Sequence, residues 1–293
     1  MNYLLALLLL FTVTAQAQPV TVRDFAGRDV TLPRPAQRIV ALAPHIVENL
    51  YSAGAGGRLV GVVDYSDFPA QARSLPRVGS YNAYSLEQVA ALRPDLVAVW
   101  GSGNGEATLR QLENLGIPVY ISELRGLADI SRSIRLLGQL AGTGAVAERE
   151  ASRVERELAH LRRRYGAQPT VEVFYQIWDQ PLQTVGGAHL ISEVIALCGG
   201  HNIFDDTAGL APQISVESVL QRNPQAIVAS GAGDTRPAWL GQWRDYPFLA
   251  AVGGAALFHI NPDHIQRPTA RVLQGARALC VQLQQVRQSH AAR

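Results

Sequence analysis

Apolar residues in this chain gather into short unbroken runs separated by stretches of helical periodicity. Four runs come first: Arg38-Ile-Val-Ala-Leu42, Leu59-Val-Gly-Val-Val63, Asp95-Leu-Val-Ala-Val99 and Pro118-Val-Tyr-Ile121. Three more follow a gap: Val171-Glu-Val-Phe-Tyr-Gln-Ile177, Ala226-Ile-Val-Ala229 and Ala256-Leu-Phe-His-Ile260. Such runs predict strands buried on both faces, and strands alternating with helices predict parallel sheets, hence an α/β fold. Ahead of them, residues 20–32 alternate apolar and polar positions on either side of Asp24-Phe-Ala-Gly27-Arg28, which predicts a hairpin. Residues 145–165 contain neither Gly nor Pro and place Val146, Ala151, Val154, Leu158 and Leu161 among many charges, which predicts one long helix between two sets of strands. Its Glu148, Glu150, Glu155 and Glu157 lie among Arg149, Arg153, Arg156 and Arg162. The expectation is a solvated face with helix-spaced pairs worth about 0.2–0.5 kcal/mol each.

The two sets of strands share a detail. Ser85-Leu-Glu87-Gln-Val89 with Pro94 and Leu96-Val97 reappears 130 residues later as Ser215-Val-Glu217-Ser-Val219 with Pro224 and Ala226-Ile227. Each copy reads as a Ser-capped helix with an acidic residue in its first turn, then Pro, then a buried strand. A repeat this long predicts two duplicated lobes rather than a solenoid.

Composition narrows the setting. The N-terminus is an uncharged apolar run ending in Ala15-Gln16-Ala17, which predicts a secretory leader over residues 1–17 cut before Gln18. Its apolar core is about ten residues, short of the roughly 20 a membrane span needs, and no Cys at the cleavage point offers a lipid anchor. About 275 residues remain for two ordinary domains. The formal charge of +2 argues against nucleic acid or an anionic surface as the main partner. All 26 basic residues are Arg, so lysine Schiff-base chemistry is excluded. The two cysteines, Cys198 and Cys280, fall on apolar helix faces; in an exported chain they read as a disulfide within the second lobe or as two buried thiols.

Catalytic motifs are largely missing. Gly101-Ser-Gly103-Asn-Gly105, with Glu123 about 20 residues on, imitates a dinucleotide fingerprint, but Glu106 stands where its third glycine belongs. There is no Gly-x-Ser-x-Gly elbow, P-loop or His-Glu-x-x-His. His45 and His201 read as turn or cap residues, His160 and His290 as solvated, and Asp205-Asp206 as a surface turn. What remains is aromatic: Tyr65 and Phe68 after one strand, Tyr81 and Tyr84 before the Glu87 helix, Trp100 and Trp178 at strand ends. Open α/β sheets bind ligands outside the carboxyl ends of their strands, so these rings predict a cleft for a flat, largely apolar ligand and no catalysis.

At this point the residues match a family. Arg38-Ile-Val-Ala-Leu-Ala-Pro44 with Glu48, Gly61-Val-Val-Asp-Tyr65-Ser-Asp-Phe-Pro69, Ser85-Leu-Glu-Gln-Val89, Leu115-Gly-Ile-Pro118, Cys198-Gly-Gly-His-Asn-Ile-Phe204 and Ser230 run through nearly the whole mature chain. The sequence resembles the helical-backbone substrate-binding proteins of ABC importers, and most closely their periplasmic cobalamin-binding branch. The resemblance implies two Rossmann-like α/β lobes joined by a long rigid α-helix. Residues 18–128 would form the first lobe, 129–168 the interlobe helical segment and 169–293 the second lobe. It implies a Cys198–Cys280 disulfide, no catalytic cofactor, and a monomer in the periplasm that delivers a corrinoid. Ligand contacts would fall to Tyr65, Tyr81, Trp100, Asp263 and Arg267, with Trp178 as an additional aromatic. Glu87 and Glu217, one per lobe, would pair with Arg residues on the importer's transmembrane subunits.

The chain also departs from the pattern. Gln183, Leu210 and Ala211 stand where aromatics of the second lobe are expected, and His264 replaces an aromatic of the ligand loop. His264 is thus a candidate cobalt ligand or a solvated loop residue. Haem or a ferric siderophore is the alternative cargo on the same fold. A secreted metal-dependent hydrolase using His259, Asp263 and His264 is the alternative from another class.

Overall fold

The computed structural model describes residues 18–231 and 233–291, so the expected leader over 1–17 lies outside the described residues. Strands β1 (Val20–Arg23) and β2 (Asp29–Leu32) pair antiparallel with Val22 opposite Val30, as the alternation predicts. The turn closes on the buried Asp24 carboxylate, which accepts hydrogen bonds from the backbone of Ala26 and Arg28 and from the Arg28 guanidinium.

The first sheet contains β3 (Ile39–Ala41), β4 (Leu59–Val62), β5 (Leu96–Trp100) and β6 (Val119–Ser122), all parallel, in the order β4-β3-β5-β6. Helices α1 (Pro44–Ser52), α2 (Leu86–Ala91) and α3 (Gly101–Asn114) connect them. After α4 (Leu127–Leu140) and α5 (Gly144–Tyr165), the second half adds β7 (Val171–Gln176), β8 (Trp178–Asp179), β9 (Leu182–Gln183), α6 (Leu190–Leu197), β10 (Gly200–Asn202) and α7 (Val216–Arg222). It ends with β11 (Ala226–Ala229), α8 (Ala250–Gly253), β12 (Leu257–His259) and α9 (Val272–Ala291). Its parallel sheet runs β10-β7-β11-β12. The two sheets have the same connectivity, with β11 in the place of β5. The repeated segments are therefore equivalent: Ser85 caps α2 by accepting from Gln88 N–H and Ser215 caps α7 by accepting from Ser218 N–H, each at 3.2 Å.

Alternate residues of each strand feed different cores, which is why the runs are apolar throughout. In β5, Leu96 and Ala98 join the central core while Val97 and Val99 pack on the outer face; in β11, Ala226 and Val228 join that same central core. This core takes in one face of both sheets together with residues of α1, α4, α5, α6 and α9. The lobes thus share apolar packing and are joined by more than a tether.

The expected long helix is α5, unbroken from Gly144 to Tyr165, and α4 packs along it. A turn at Gly142 (φ 72°) folds α4 back on α5, and Gly138 permits their close approach, because a Cβ there would lie 2.2 Å from that of Ala147. The charged face of α5 is not wholly solvated. Glu148 and Glu155, two turns apart on one face, both reach across to Arg135 of α4, and Glu157 reaches Arg277 of α9. Only Arg153–Glu150 pairs along α5 itself among the described residues. Helix spacing made the intrahelical pairs look sufficient; the tertiary partners were equally close and belong to other elements.

Cys198 closes α6 and is bonded to Cys280 of α9, both fully buried. Strand β10 went unpredicted because Gly-His-Asn is short and polar and sits at the sheet edge beside β7. Among the described residues, no helix is long and apolar enough to cross a membrane.

Candidate ligand-binding site

The carboxyl ends of the strands of both lobes converge on one cavity of about 550 Å³. Pro44 and His45 follow β3, Tyr65 follows β4, Trp100 ends β5 and Glu123 follows β6, while Ile177 follows β7 and Gln266 and Arg267 lie beyond β12. His189, Leu190 and Ile191 at the start of α6 complete the wall with Leu210.

Trp100 is the best supported of the rings. Its ring centroid lies 5.8 Å from that of Tyr81 and 5.6 Å from that of His45, the latter pair perpendicular. Its backbone N–H donates to Asn104 Oδ1 at 2.6 Å, and Asn104 in turn donates to the carbonyls of Leu42 and Tyr81. The glycine loop that imitates a nucleotide fingerprint serves this ring: a Cβ on Gly103 would fall 2.0 Å from the Trp100 indole. Gly105 has φ 77°, a left-handed conformation that breaks the helical path of α3 and that glycine adopts without strain. Glu123, the would-be ribose acid, instead accepts from the backbone N–H (2.8 Å) and hydroxyl (3.0 Å) of Ser102.

Tyr65 stands at φ 62° and is 73% exposed, so it overhangs the mouth rather than filling the floor. Tyr65, Tyr81, Trp100 and Arg267 are the sequence-predicted residues that line the cavity. Trp178, Asp263 and His264 stand outside its lining. Trp178 is one residue beyond Ile177, with its indole N–H donated to the Gln180 carbonyl within the β8–β9 hairpin. Asp263 lies behind Arg267 and forms an ion pair with it, its Oδ1 3.1 Å from Arg267 Nε. His264 ends a short 3-10 turn, Pro262–His264, whose backbone packs against Gly275 of α9. Among the described residues no three His, Cys, Asp or Glu side chains converge as a metal site, so His259, Asp263 and His264 are not gathered into one.

Sequence reasoning missed the two imidazoles of the cavity. His45 sits in the first turn of α1 with its Nε2 3.5 Å from the Ser122 hydroxyl; burial, then the nearby Arg267, lowers its pKa to about 3. His189 caps α6 by accepting the Ile191 N–H on Nδ1, and burial lowers its pKa to about 4. Both are neutral at pH 7, and the cap leaves the His189 proton on Nε2. The charged groups of the lining are therefore Glu123, Arg125 and Arg267. The available signal was position: both histidines open helices that start at strand ends or beside Gly-Gly turns.

Their titration has a consequence for stability. Both folded pKa values lie below the unfolded value near 6.5, so the unfolded chain takes up these protons first as pH falls. The contribution is complete above pH 6.5 and is lost as pH falls toward 3–4, by up to about 1.4 kcal/mol per pH unit for each imidazole. His201, raised by Glu172, acts in the opposite sense and loses its contribution as pH rises through its folded value, above this window. Thermal melts between pH 6.5 and 4.5 are expected to show a falling midpoint that flattens in His45→Asn/His189→Asn, where Asn can still cap α6. An unchanged slope would refute this assignment.

Comparison with known proteins fits this architecture. Residues 39–244 match the family described as Periplasmic binding protein. The chain is 38% identical over 254 residues to the vitamin B12-binding protein of Vibrio campbellii, covering 87% of this chain and 92% of that one. The crystal structure of the periplasmic vitamin B12-binding protein of Vibrio cholerae superimposes with a TM-score of 0.79 at 35% identity, over 86% of this chain and 98% of that one. A periplasmic haem-binding protein from Roseiflexus shares the fold, with a TM-score of 0.74 at 23% identity over 86% of this chain and 99% of that one. Duplicated parallel sheets, a helical connection between them, a cavity at the strand ends and these matches agree that the chain belongs to the periplasmic binding protein family.

Proposed function

We propose that the protein captures a cobalamin-type corrinoid in the interlobe cavity and delivers it to an ABC importer, without catalysis. The observation that carries this reading is the cavity wall, where the aromatic side chains of Tyr65, Tyr81 and Trp100 stand beside a polar set of Ser102, Gln266, Arg125 and Arg267. A corrinoid presents the complementary surface: a flat macrocycle edged with amides. It exceeds about 550 Å³, so part of it stands outside the cleft, where the exposed Tyr65 overhangs. Relatives named as vitamin B12-binding proteins support the same cargo.

Tyr65, Tyr81, Trp100 and Arg267 touch the ligand in this reading, and Asp263 acts by holding Arg267. Trp178 and His264 reach only ligand groups that extend past the lining. The lobes divide at residues 18–128 and 169–293, with 129–168 between them. The leader over residues 1–17 is removed on export, and a single copy presents Glu87 and Glu217 to the two transmembrane subunits. Haem is a second reading, favoured by the neutral His45 imidazole in the cavity wall.

Titration of the mature protein with cyanocobalamin, haem and a ferric siderophore separates these cargoes. Saturable quenching of tryptophan emission by cyanocobalamin at micromolar concentration is expected, since Trp100 lies in the wall. Quenching by haem alone would replace the corrinoid reading.

A further inference from the structure

One buried carboxylate outside the cavity lining connects the two lobes. Glu48, on α1 of the first lobe, has a side chain only 2% exposed. Its Oε1 accepts from Arg267 Nη1 at 2.9 Å and Arg271 Nη2 at 2.7 Å, and its Oε2 accepts from Arg271 Nε at 2.9 Å. Both arginines belong to the second lobe, and Asn49 adds a bond from its amide to the Pro268 carbonyl at 3.1 Å. The Arg271 guanidinium also lies 4.3 Å above the ring of Phe68, a residue of the first lobe.

The two guanidiniums differ in where they stand. Arg271 is enclosed by Glu48 and Phe68 and is absent from the cavity lining, whereas Arg267 lines the cavity. Arg267 Nη1 donates to Glu48, and its Nε is ion-paired with Asp263 at 3.1 Å, which leaves Nη2 outside both contacts. A guanidinium held on two of its edges by carboxylates keeps a fixed plane, and donors presented in that plane bind an acceptor with little loss of rotamer freedom. The anchor on one of those edges comes from the opposite lobe.

We infer that Glu48 is a positioning residue that fixes the Arg267 guanidinium from across the lobe boundary, so that the ligand-facing donors are set only while the lobes keep this relation. The inference rests on the corrinoid reading, and cyanocobalamin is the probe. Arg271 serves as the structural half of the cluster: it neutralises the rest of the Glu48 charge and ties α1 to the start of α9. Movement of α1 relative to α9 would release the Arg267 plane and weaken its hold on the cargo, which links lobe geometry to affinity.

A double-mutant cycle on cyanocobalamin affinity tests this. Glu48→Gln is expected to weaken binding about tenfold, the scale of one hydrogen bond to a charged group. Arg267→Ala should weaken it at least as much, and the double variant no further than Arg267→Ala alone. A merely structural role predicts instead that Glu48→Gln lowers affinity by the same factor in both backgrounds. That outcome, or wild-type affinity in Glu48→Gln, overturns the inference. Should Glu48→Gln fail to fold, Glu48→Asp keeps the charge but withdraws it by one methylene and carries the same cycle. Failure of the wild-type protein to bind cyanocobalamin would instead count against the corrinoid reading.

Discussion

Cells that carry Glu87→Arg together with Glu217→Arg are expected to lose cobalamin uptake, while the purified variant binds cyanocobalamin within about twofold of wild type, as surface changes away from a site usually do. The two carboxylates occupy equivalent positions in the duplicated lobes, each in the first turn of a Ser-capped helix and each exposed. A first-turn carboxylate is favoured by the helix dipole yet remains free to project. The Glu217 carboxyl is held below its usual range by its own backbone N–H and Ser215, so it stays charged across the physiological range. Two such groups suit a partner with two similar subunits. An exposed pair is worth only about 0.2–1 kcal/mol, so single reversals should reduce uptake partially and in a salt-dependent way. In that docking role, reversal of both would place like charges opposite each other and oppose the encounter itself. Unchanged uptake in the double variant would refute the docking role, and lost cyanocobalamin binding would move these residues into the ligand site.

The second large effect belongs to the disulfide. Cys198→Ala/Cys280→Ala is expected to lower unfolding stability by about 4–5 kcal/mol, from the entropy of the loop closed by a separation of 82 residues. Alanine is the right replacement, since both sulfurs are fully buried and serine would leave hydroxyls there. The bond joins the end of α6 to α9, and both helices feed the cavity: His189 caps the first, and the Arg267–Arg271 segment leads into the second. Urea unfolding of the oxidised protein and the double variant measures the difference. A shift below about 1 kcal/mol would mean that packing alone holds these helices, contrary to the loop-entropy argument.

Much of the fold could be read in advance because its strands are buried on both faces. Ile39-Val-Ala41 and Ala226-Ile-Val-Ala229 have no solvent side, so their apolar runs stand out, and the capped repeat marks the duplication. The aromatic wall was partly legible: Tyr65 follows one strand, Trp100 ends another and Tyr81 precedes the Glu87 helix, whereas Trp178, read in the same way, stands outside the lining. What stayed hidden depends on partners distant in the chain. Glu48 and Arg267 are 219 residues apart, and nothing local in Val-Glu-Asn reports that its carboxylate is buried against two guanidiniums. The link from Arg135 to Glu148 and Glu155 is concealed similarly, because α5 supplies arginines at helix spacing that could have satisfied the same acids. His45 escaped because a lone histidine beside proline carries no periodic signal. The glycine loop misled for a different reason: close approach by an indole and by a pyrophosphate both demand glycine, and only the packing of Trp100 on Gly103 tells them apart.

The core that runs through both sheets and through α4, α5 and α9 sets the mechanical character of the protein. Prising the lobes apart would bring apolar surface into water at about 2.5 kcal/mol for every 100 Å². Wide spontaneous gaping is therefore suppressed, and the molecule behaves as a stiff shelf rather than as jaws. On the transport reading proposed above, a stiff shelf does not let go of its load by flexing, and the work of unloading would fall to the importer.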